Sequence, residues 1–154
     1  MKIAFGCDPN AYDMKKDLIK VCEDLRHEVT DFGSEDTIYA NTAFQVAEAV
    51  SSGQFDRGVL VCGTGIGMSI AANKVKGAYA ALIADVYSAE RAALSNNANI
   101  ACFGAFTLGE KLAPELLKTW LSNEFDEESG SAPKVARYKK YDEERGECYA
   151  KNTE

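Results

Sequence analysis

The sequence predicts a doubly wound α/β domain, in which helices cover both faces of a five-stranded parallel sheet. Five short apolar runs alternate along the chain with longer segments whose apolar residues recur at helical spacing. Each helical segment is long enough to form a right-handed crossover between two parallel strands. With 154 residues, 46% of them hydrophobic, the chain can bury one substantial core. We therefore expect three layers, α/β/α.

The predicted strands and helices follow one another in regular alternation. Strands are expected at residues 2–7, 28–33, 57–63, 78–83 and 99–104, and helices at residues 13–27, 41–53, 67–75, 88–97 and 109–125. In the first helix, Met14, Leu18, Val21 and Leu25 recur at helical spacing, whereas the second strand alternates with a period of two. The second helix closes at a glycine, which is a common stop signal. Residues 1–125 are thus predicted to form a single domain.

The last part of the chain, residues 126–154, differs in character from this domain. It is highly charged, and a Ser/Gly stretch separates it from the preceding helix. The segment that starts at Pro133 can form a helix. A charged terminal segment of this kind more often packs on a neighbouring subunit, or stays solvated, than forms a second domain. We expect a helical tail that packs on a neighbouring subunit.

Composition excludes several classes of function. The formal net charge of −7 and the pI of about 4.8 argue against a nucleic-acid-binding surface. No apolar run approaches the length of a membrane span, and the N-terminal segment lacks the features of a signal peptide. Five cysteines, an odd number without a CxxC spacing, favour a reduced cytoplasmic protein. With His27 as the only histidine, a histidine-rich metal site within one chain is impossible.

Several chemically active residues follow the predicted strands. Because doubly wound domains bind ligands beyond the carboxyl ends of their strands, these residues should gather at one edge of the sheet. They are Cys7 and Asp8 after the first strand, Cys62 and Thr64 after the third, and Asp85 after the fourth. Cys7 is expected to be a buried structural residue and Asp85 a helix cap, whereas Asp8 fits a cap or a ligand-binding group equally well.

The most informative motif is VLVCGTGIGMSIAANK, residues 59–74, in which a buried strand ends at Cys62 and three glycines follow within five positions. Backbone amides of residues 63–67 at a helix N-terminus would face an anion. A dinucleotide-binding domain carries its glycine motif after the first strand, whereas these glycines follow the third strand, which argues against a dinucleotide site. A P-loop is excluded because Met68 and Ser69 stand where its Lys-Ser/Thr pair would be. A cysteine phosphatase is excluded because Met68 also stands where its arginine would be. A thiol and a hydroxyl beside amide donors instead suit proton transfer with a developing oxyanion.

The segment VCGTGIGMSIAANKVKG resembles the sugar-phosphate isomerase family of type B ribose-5-phosphate isomerases and galactose-6-phosphate isomerase subunits. The segments KIAFGCD, HEVTDFGS, AALIADVYSAERA and NNANIACFGA also match, so the resemblance extends from residue 1 to about residue 125. It implies a Rossmann-like, doubly wound five-stranded parallel sheet. It further implies a small sugar phosphate as substrate, no metal or other cofactor, and homodimers or dimers of dimers with sites at a subunit interface.

The resemblance also implies a role for individual residues. Cys62 would be the base that removes a proton from the carbon next to the carbonyl group, giving a cis-enediol or enediolate. Thr64 would carry protons between the two sugar oxygens. The enediolate charge would be held by the amides of Gly63, Gly65, Ile66 and Gly67. The remaining groups of the substrate would be bound by Asp8, Tyr39, Asn96, Lys134 and Arg137, the last two as loose equivalents of the family's phosphate-binding residues.

The sequence departs from the family pattern at positions that surround this chemistry. Pro9 and Ser95 stand where the family usually has histidines, and the histidine at position 95 is associated with opening the sugar ring. Phe106 replaces an arginine, and the family's Asp-Tyr-Pro becomes Ile38-Tyr39-Ala40. The groups for enediol chemistry are therefore intact, while those for ring opening and phosphate binding are altered.

Three hypotheses follow from these departures. The chain is an aldose–ketose isomerase with a shifted substrate, or one subunit of a hetero-oligomeric isomerase whose paralogous subunit supplies the missing groups, or a non-catalytic sugar-binding relative. The intact Cys62 and Thr64 favour an enzyme. The hydroxyl of Ser95 does not titrate near neutral pH, so it replaces a ring-opening histidine poorly. A tetrose phosphorylated on O4 cannot close a furanose ring, which makes an open-chain substrate such as erythrulose 4-phosphate the favoured hypothesis.

Overall fold

The computed structural model describes residues 1–33 and 35–150, with side chains described up to residue 144. Five parallel strands form one sheet: β1 (Lys2–Cys7), β2 (Glu28–Asp31), β3 (Arg57–Cys62), β4 (Ala80–Leu82) and β5 (Ile100–Gly104). The helices of the described chain are α1 (Tyr12–Asp24), α2 (Tyr39–Ser51), α3 (Ile66–Ala72), α4 (Val86–Leu94), α5 (Leu112–Leu121) and α6 (Ala132–Ala150). A short 3₁₀ turn, Pro9–Ala11, precedes α1. The predicted doubly wound fold is confirmed.

The strands lie in the order β2-β1-β3-β5-β4, and every neighbouring pair is parallel. The connections from β1 to β2 and from β4 to β5 run in one direction across the sheet, and those from β2 to β3 and from β3 to β4 run in the other. Right-handed crossovers place the helices of these two sets on opposite faces. Accordingly, α1, α4 and α5 pack on one face, while α2 and α3 pack on the other.

Burial of the sheet on both faces explains the continuous apolar runs of its central strands. On one face, Phe5, Val61 and Phe103 pack with Trp120 of α5, and all four are fully buried. The core on the other face is formed by small and branched side chains. Its members include Ala4, Leu60, Cys62 and Ile100 from the strands, Val46 of α2 and Met68 of α3. Packing on both faces fixes the central strands, and with them the positions of their carboxyl ends.

The two edge strands are shorter than the sequence predicts: β2 is Glu28–Asp31 and β4 is Ala80–Leu82. Single backbone hydrogen bonds continue beyond them, since the Phe32 amide donates to the Phe5 carbonyl at 2.8 Å and the Ile83 amide donates to the Cys102 carbonyl at 2.9 Å. At the end of β2, the Asp31 carboxylate accepts a hydrogen bond from the Gly33 amide at 2.9 Å. Along the outer edge of β4, the Asn73 side chain accepts from the Ala80 amide at 2.9 Å and donates to the Ala80 carbonyl at 2.8 Å.

The helices also differ from their predicted limits by up to four residues, and two of the differences have identifiable reasons. Helix α2 begins two residues early, at Tyr39, after a turn in which the Asp36 carboxylate accepts bonds from the Ile38 amide and the Asn41 side chain. Helix α5 ends four residues early, at Leu121. There the Arg57 guanidinium donates to the carbonyls of Trp120 and Asn123, both at 2.7 Å, and so satisfies carbonyl groups at the helix end.

Helix α6 of the charged tail lies against its own domain through part of its length. Val135 is buried, and the Tyr138 hydroxyl donates to the Asn96 carbonyl. The Asp142 carboxylate accepts bonds from the Gly77 amide at 2.7 Å and from the Tyr79 hydroxyl at 3.3 Å. Burial, and secondarily the Asp142 charge, raises the pKa of Tyr79 to about 12, so Tyr79 remains a donor. Residues 151–154 of the predicted tail lie outside the described residues.

No described helix combines the length and the apolar character that crossing a membrane requires. The four cysteines whose side chains are described, Cys7, Cys22, Cys62 and Cys102, are all buried and unpaired.

Candidate active site

Backbone hydrogen bonds tie the carboxyl ends of the three central strands together at one edge of the sheet. The Asp8 amide, just beyond β1, donates to the Val61 carbonyl of β3 at 3.2 Å. Beyond β5, the amides of Ala105 and Phe106 donate to the carbonyls of Cys62 and Gly63, both at 2.8 Å. The residues that follow β1, β3 and β5 therefore meet at the edge where the sequence predicts the site.

The glycine turn after β3 places the Cys62 thiol directly before helix α3. Gly65 adopts φ 75°, and a Cβ atom there would lie 2.6 Å from Leu82 Cδ1 and 2.9 Å from the carbonyl carbon of Phe103, so only glycine fits. The Gly65 amide points back and donates to Cys62 Sγ at 3.1 Å. Cys62 itself is 5% exposed. The turn thus holds an amide donor against a nearly buried sulfur atom at the start of α3.

Thr64 and Tyr39 flank this turn with hydroxyl groups. Thr64 is exposed, and its Oγ1 accepts a long hydrogen bond of 3.4 Å from the Ile66 amide. Tyr39, at the start of α2, lies against the first turn of α3. A Cβ atom at Gly67 would be 2.6 Å from the Tyr39 hydroxyl oxygen, which shows how closely this ring covers the glycine. Both hydroxyls therefore stand beside the amides that begin α3.

Asp8 is only 8% exposed and performs a capping role that the sequence left open. Its Oδ1 atom accepts a hydrogen bond from the Asn10 amide at 3.0 Å and caps the 3₁₀ turn that starts at Pro9. Helix α1, by contrast, has Ala11 at its N-cap position and no side-chain cap. The cap fixes the Asp8 carboxylate at the site edge, so capping and substrate binding are compatible roles for this residue.

Cys7 and Asp85 have the structural roles expected of them. Burial raises the pKa of Cys7 to about 11, so this side chain remains a neutral thiol at physiological pH. Asp85 caps helix α4: its Oδ1 accepts a bond from the Ser88 amide at 2.8 Å, and the Ser88 side chain completes a reciprocal capping box. These hydrogen bonds hold the pKa of Asp85 below its usual range. Of the residues expected at this edge, Asp8, Cys62 and Thr64 therefore remain as candidate functional groups.

Three predicted substrate-binding residues lie elsewhere in the same chain. Helix α4 starts at the site edge and ends at the opposite edge of the sheet, and Asn96 follows that end. Asn96 donates to the Arg91 carbonyl at 2.9 Å and accepts from Tyr138 of α6. Lys134 and Arg137 are exposed on the same part of α6. One chain thus brings Asp8, Tyr39, Cys62, Thr64 and the glycine turn together, and holds Asn96, Lys134 and Arg137 as a second, separate group.

A buried lysine, Lys15, that the sequence did not predict forms an ion pair with the exposed Asp31 beside the site. Lys15 is 1% exposed, and its Nζ atom lies 2.7 Å from Asp31 Oδ2 and donates to the Gly33 carbonyl at 3.3 Å. Lys15 shares a helical face with Leu18 and Cys22, both buried, and this spacing was the signal that could have revealed its burial. The pair joins α1 to the end of β2 beside Cys7 and Asp8.

The resulting group of side chains offers a thiol, hydroxyls, a carboxylate and a row of amide donors. Among residues 1–33 and 35–144, no group of three or more His, Cys, Asp or Glu side chains is placed to hold a metal ion. The residues present can remove a carbon-bound proton and hold the oxyanion that results. This combination at the carboxyl edge of a doubly wound sheet suits an enzyme that isomerises small carbonyl compounds by moving a proton.

The chain matches the family model described as Ribose/Galactose Isomerase over residues 3–138, and it belongs to this family. It is 50% identical over 128 residues to Ribose-5-P isomerase B of Listeria innocua, a match that covers 81% of this chain and 86% of the relative. It is 43% identical over 146 residues to D-erythrulose-4-phosphate isomerase of Pectobacterium atrosepticum, which covers 92% of this chain and 95% of that protein.

A solved structure of ribose-5-phosphate isomerase B from Clostridium thermocellum superimposes on the chain with a TM-score of 0.88 at 37% identity. The superposition covers 94% of this chain and 99% of that chain. The chain is a sugar-phosphate isomerase.

Proposed function

We propose that this protein interconverts an open-chain tetrose phosphate ketose and its aldose, with erythrulose 4-phosphate as the substrate, through a cis-enediol intermediate with Cys62 as the base. The hydrogen bond from the Gly65 amide to Cys62 Sγ at 3.1 Å carries this assignment. It distinguishes Cys62 from the buried thiols nearby, because it fixes the sulfur atom beside the amides that begin α3, where an oxyanion would be held.

In this mechanism the Cys62 thiolate takes a proton from the carbon next to the carbonyl group. The electrons of the broken C–H bond form a C=C bond, and the carbonyl oxygen becomes an oxyanion held by the amides of Gly63, Ile66 and Gly67, while the Gly65 amide keeps its hydrogen bond to Cys62 Sγ. Thr64 passes a proton between the two substrate oxygens. The Cys62 thiol then returns its proton to the neighbouring carbon, which completes the conversion without net gain or loss of atoms.

Binding of the rest of the substrate is divided between two subunits. Asp8 and Tyr39 bind sugar hydroxyls from the subunit that supplies Cys62. Asn96, Lys134 and Arg137 lie at the opposite end of the same chain, and the two basic side chains are exposed. We infer that they serve the site of a neighbouring subunit, in a homodimer or a dimer of dimers. In such an assembly the exposed face of α6 extends beyond its own domain to supply positive charge for the substrate phosphate.

The preference for a tetrose rests on Ser95. Its hydroxyl accepts a hydrogen bond from Arg91 Nη1 at 3.2 Å, and it cannot act as the acid or base that opens a furanose ring near neutral pH. A tetrose 4-phosphate needs no ring opening, because its closing oxygen carries the phosphate. The chain is 43% identical over 92% of its length to the relative named D-erythrulose-4-phosphate isomerase and 50% identical over 81% to the relative named Ribose-5-P isomerase B, so enzymes of both names resemble it.

Replacement of the base tests this proposal. Cys62→Ala should lower kcat/KM by about a hundred- to ten-thousand-fold, the usual contribution of a general base, while the fold is retained. Cys62→Ser keeps the geometry and loses the basicity, so it should be nearly as inactive. Cys22→Ala is the matched control, because it removes a buried thiol from α1 on the other face of the sheet. A Cys62→Ala enzyme that keeps most of its turnover would exclude Cys62 as the base.

A further inference from the structure

Lys15 is a charged residue in the first turn of α1 that the protein encloses almost completely. Its side chain is 1% exposed, and its Nζ atom lies 2.8 Å from Asp31 Oδ1 and 2.7 Å from Asp31 Oδ2. The same Nζ atom donates to the Gly33 carbonyl at 3.3 Å. A side chain of α1 therefore binds the end of β2 and the backbone that follows it.

The Gly33 carbonyl connects this lysine to the strand that leads to Asp8. It accepts a second hydrogen bond, also at 3.3 Å, from the Cys7 amide at the end of β1. The Cys7 thiol lies beside Lys15 as well: burial raises the pKa of Cys7 to about 11, and the charge of Lys15 and a hydrogen bond from it partly offset this rise. Lys15 thus contacts the residue that directly precedes Asp8.

Asp8 lies between the two elements that Lys15 joins. On the strand side, its amide donates to the Val61 carbonyl at 3.2 Å. On the helix side, its Oδ1 atom accepts from the Asn10 amide at 3.0 Å, and the short turn that contains Asn10 leads directly into α1. The direction of the Asp8 carboxylate consequently depends on where α1 begins relative to the end of β1, and Lys15 fixes this relation.

Stability alone gives no reason for a lysine at this position. Burial of an ammonium group costs desolvation free energy, and such an ion pair is often no more stabilising than an apolar side chain of similar volume. Asp31 keeps 41% of its side chain exposed, so water screens the attraction. Leu18 and Cys22 occupy the same buried face of α1, so an apolar residue would continue the pattern of that helix. What the lysine adds is directed hydrogen bonding.

We propose that Lys15 is a positioning residue for the isomerisation, which holds the start of α1 against the ends of β1 and β2 and thereby directs the Asp8 carboxylate toward the substrate. The inference rests on the proposed function, in which Asp8 binds sugar hydroxyls. Lys15 itself does not touch the substrate, because its side chain is enclosed by protein. Its effect on the reaction passes through Asp8.

Lys15→Met tests this role, because methionine is also unbranched and apolar but lacks the ammonium group. The assay uses whichever of erythrulose 4-phosphate and ribose 5-phosphate the wild type converts faster. The value of kcat/KM should fall about five- to tenfold, mainly through a higher KM, because a misdirected Asp8 weakens binding of the ground state and the transition state alike. Lys20→Met is the matched control: it removes an exposed lysine from the same helix and should change neither parameter. An unchanged kcat/KM in Lys15→Met overturns the proposal.

A double-mutant cycle with Asp8→Ala separates positioning from a merely structural role. Asp8→Ala should itself lower kcat/KM by about tenfold or more, and Lys15→Met should cause no further loss in that background, because the group that Lys15 directs is absent. A further loss of the same size overturns the role of Lys15 and leaves the proposed function standing. Full activity in Asp8→Ala overturns both this proposal and the binding role of Asp8.

Asp31→Asn is the second variant if Lys15→Met does not fold. It leaves Lys15 with a hydrogen-bond acceptor and removes its ionic partner on the more exposed side of the pair. It should raise KM in the wild-type background and have no effect in Asp8→Ala. An unchanged KM in the first background, or an equal loss of kcat/KM in both, overturns the proposal.

Discussion

At the scale of single residues, the surroundings of each thiol decide its chemistry. Burial raises the pKa of Cys7 to about 11 and that of Cys22 to about 12. Burial, with a smaller contribution from the Cys62 charge, raises the pKa of Cys102 above its usual range. These three thiols stay neutral at physiological pH. Cys62 has a distinct geometry: the Gly65 amide hydrogen atom points at its sulfur, and this contact depends on the left-handed backbone of Gly65.

The lone histidine, His27, influences the stability of the fold and takes no part in the proposed chemistry. His27 precedes β2 at the sheet edge opposite Cys62, and its Nδ1 atom lies 3.4 Å from the N-terminal amino group. Partial burial, and then the positive charges of the N-terminus and Arg57, lower the pKa of His27 below its ordinary value of 6.5. The unfolded chain therefore binds a proton at His27 more readily than the folded chain does.

This difference makes a signed prediction for pH dependence. The pKa of His27 is lower in the folded chain than in the unfolded chain. The contribution of His27 to the free energy of unfolding is therefore fully present above its ordinary pKa and is lost as the pH falls through its pKa in the folded chain. His27→Gln should flatten the fall in the free energy of unfolding between roughly pH 7 and pH 5, measured by urea denaturation. It should leave kcat/KM unchanged at neutral pH. An identical pH dependence in the wild type and His27→Gln would contradict this account.

At the scale of helices, strands and turns, the sequence predicts best the features that are determined by residues close together in the chain. The glycine turn was predictable in detail, because a buried strand, closely spaced glycines and a helical pattern adjoin one another within 16 residues. The capping role of Asp85 was equally local, since its partner Ser88 is three residues away. Alternation of strands and helices also predicted the parallel sheet, because crossover connections require it.

Element limits were less predictable where distant side chains determine them. Asp31 at the end of β2 pairs with Lys15 of α1, and the end of α5 is bound by Arg57 of β3, 63 residues before Trp120. The strand order shows the same limitation. Alternation establishes that consecutive strands are parallel, but it does not reveal that β5 inserts between β3 and β4. Contacts between residues far apart in sequence decide these features, and no local pattern records them.

At the scale of the whole molecule, the predicted site residues form two groups at opposite ends of one chain. The family resemblance predicts both groups as parts of a single site, because a sequence motif does not show which subunit contributes each residue. The fold separates them: Cys62 ends a central strand at the site edge, whereas Asn96 follows α4 at the other edge and Arg137 lies on α6. Our proposal of a site shared between subunits follows from this separation.

Mixing two inactive variants tests the shared site. Cys62→Ala and a Lys134→Ala/Arg137→Ala double variant should each have little activity alone. After dissociation and random reassembly in equal amounts, half of the dimers contain one subunit of each kind, and one of their two sites is intact, so about a quarter of wild-type activity should return. A mixture of Cys62→Ala and Cys62→Ser is the control and should recover nothing. If subunits exchange and activity does not return, each chain completes its own site.

The most direct test of the central claim is a comparison of kcat/KM for erythrulose 4-phosphate, ribose 5-phosphate and a hexose 6-phosphate, made with this protein as the only subunit. Without a titratable side chain at Ser95, the enzyme should act best on the sugar that has no ring to open. We expect the tetrose phosphate to exceed both ring-forming sugars by at least tenfold, a difference of about 1.4 kcal/mol in transition-state binding. A tenfold advantage for ribose 5-phosphate or the hexose phosphate would contradict the account.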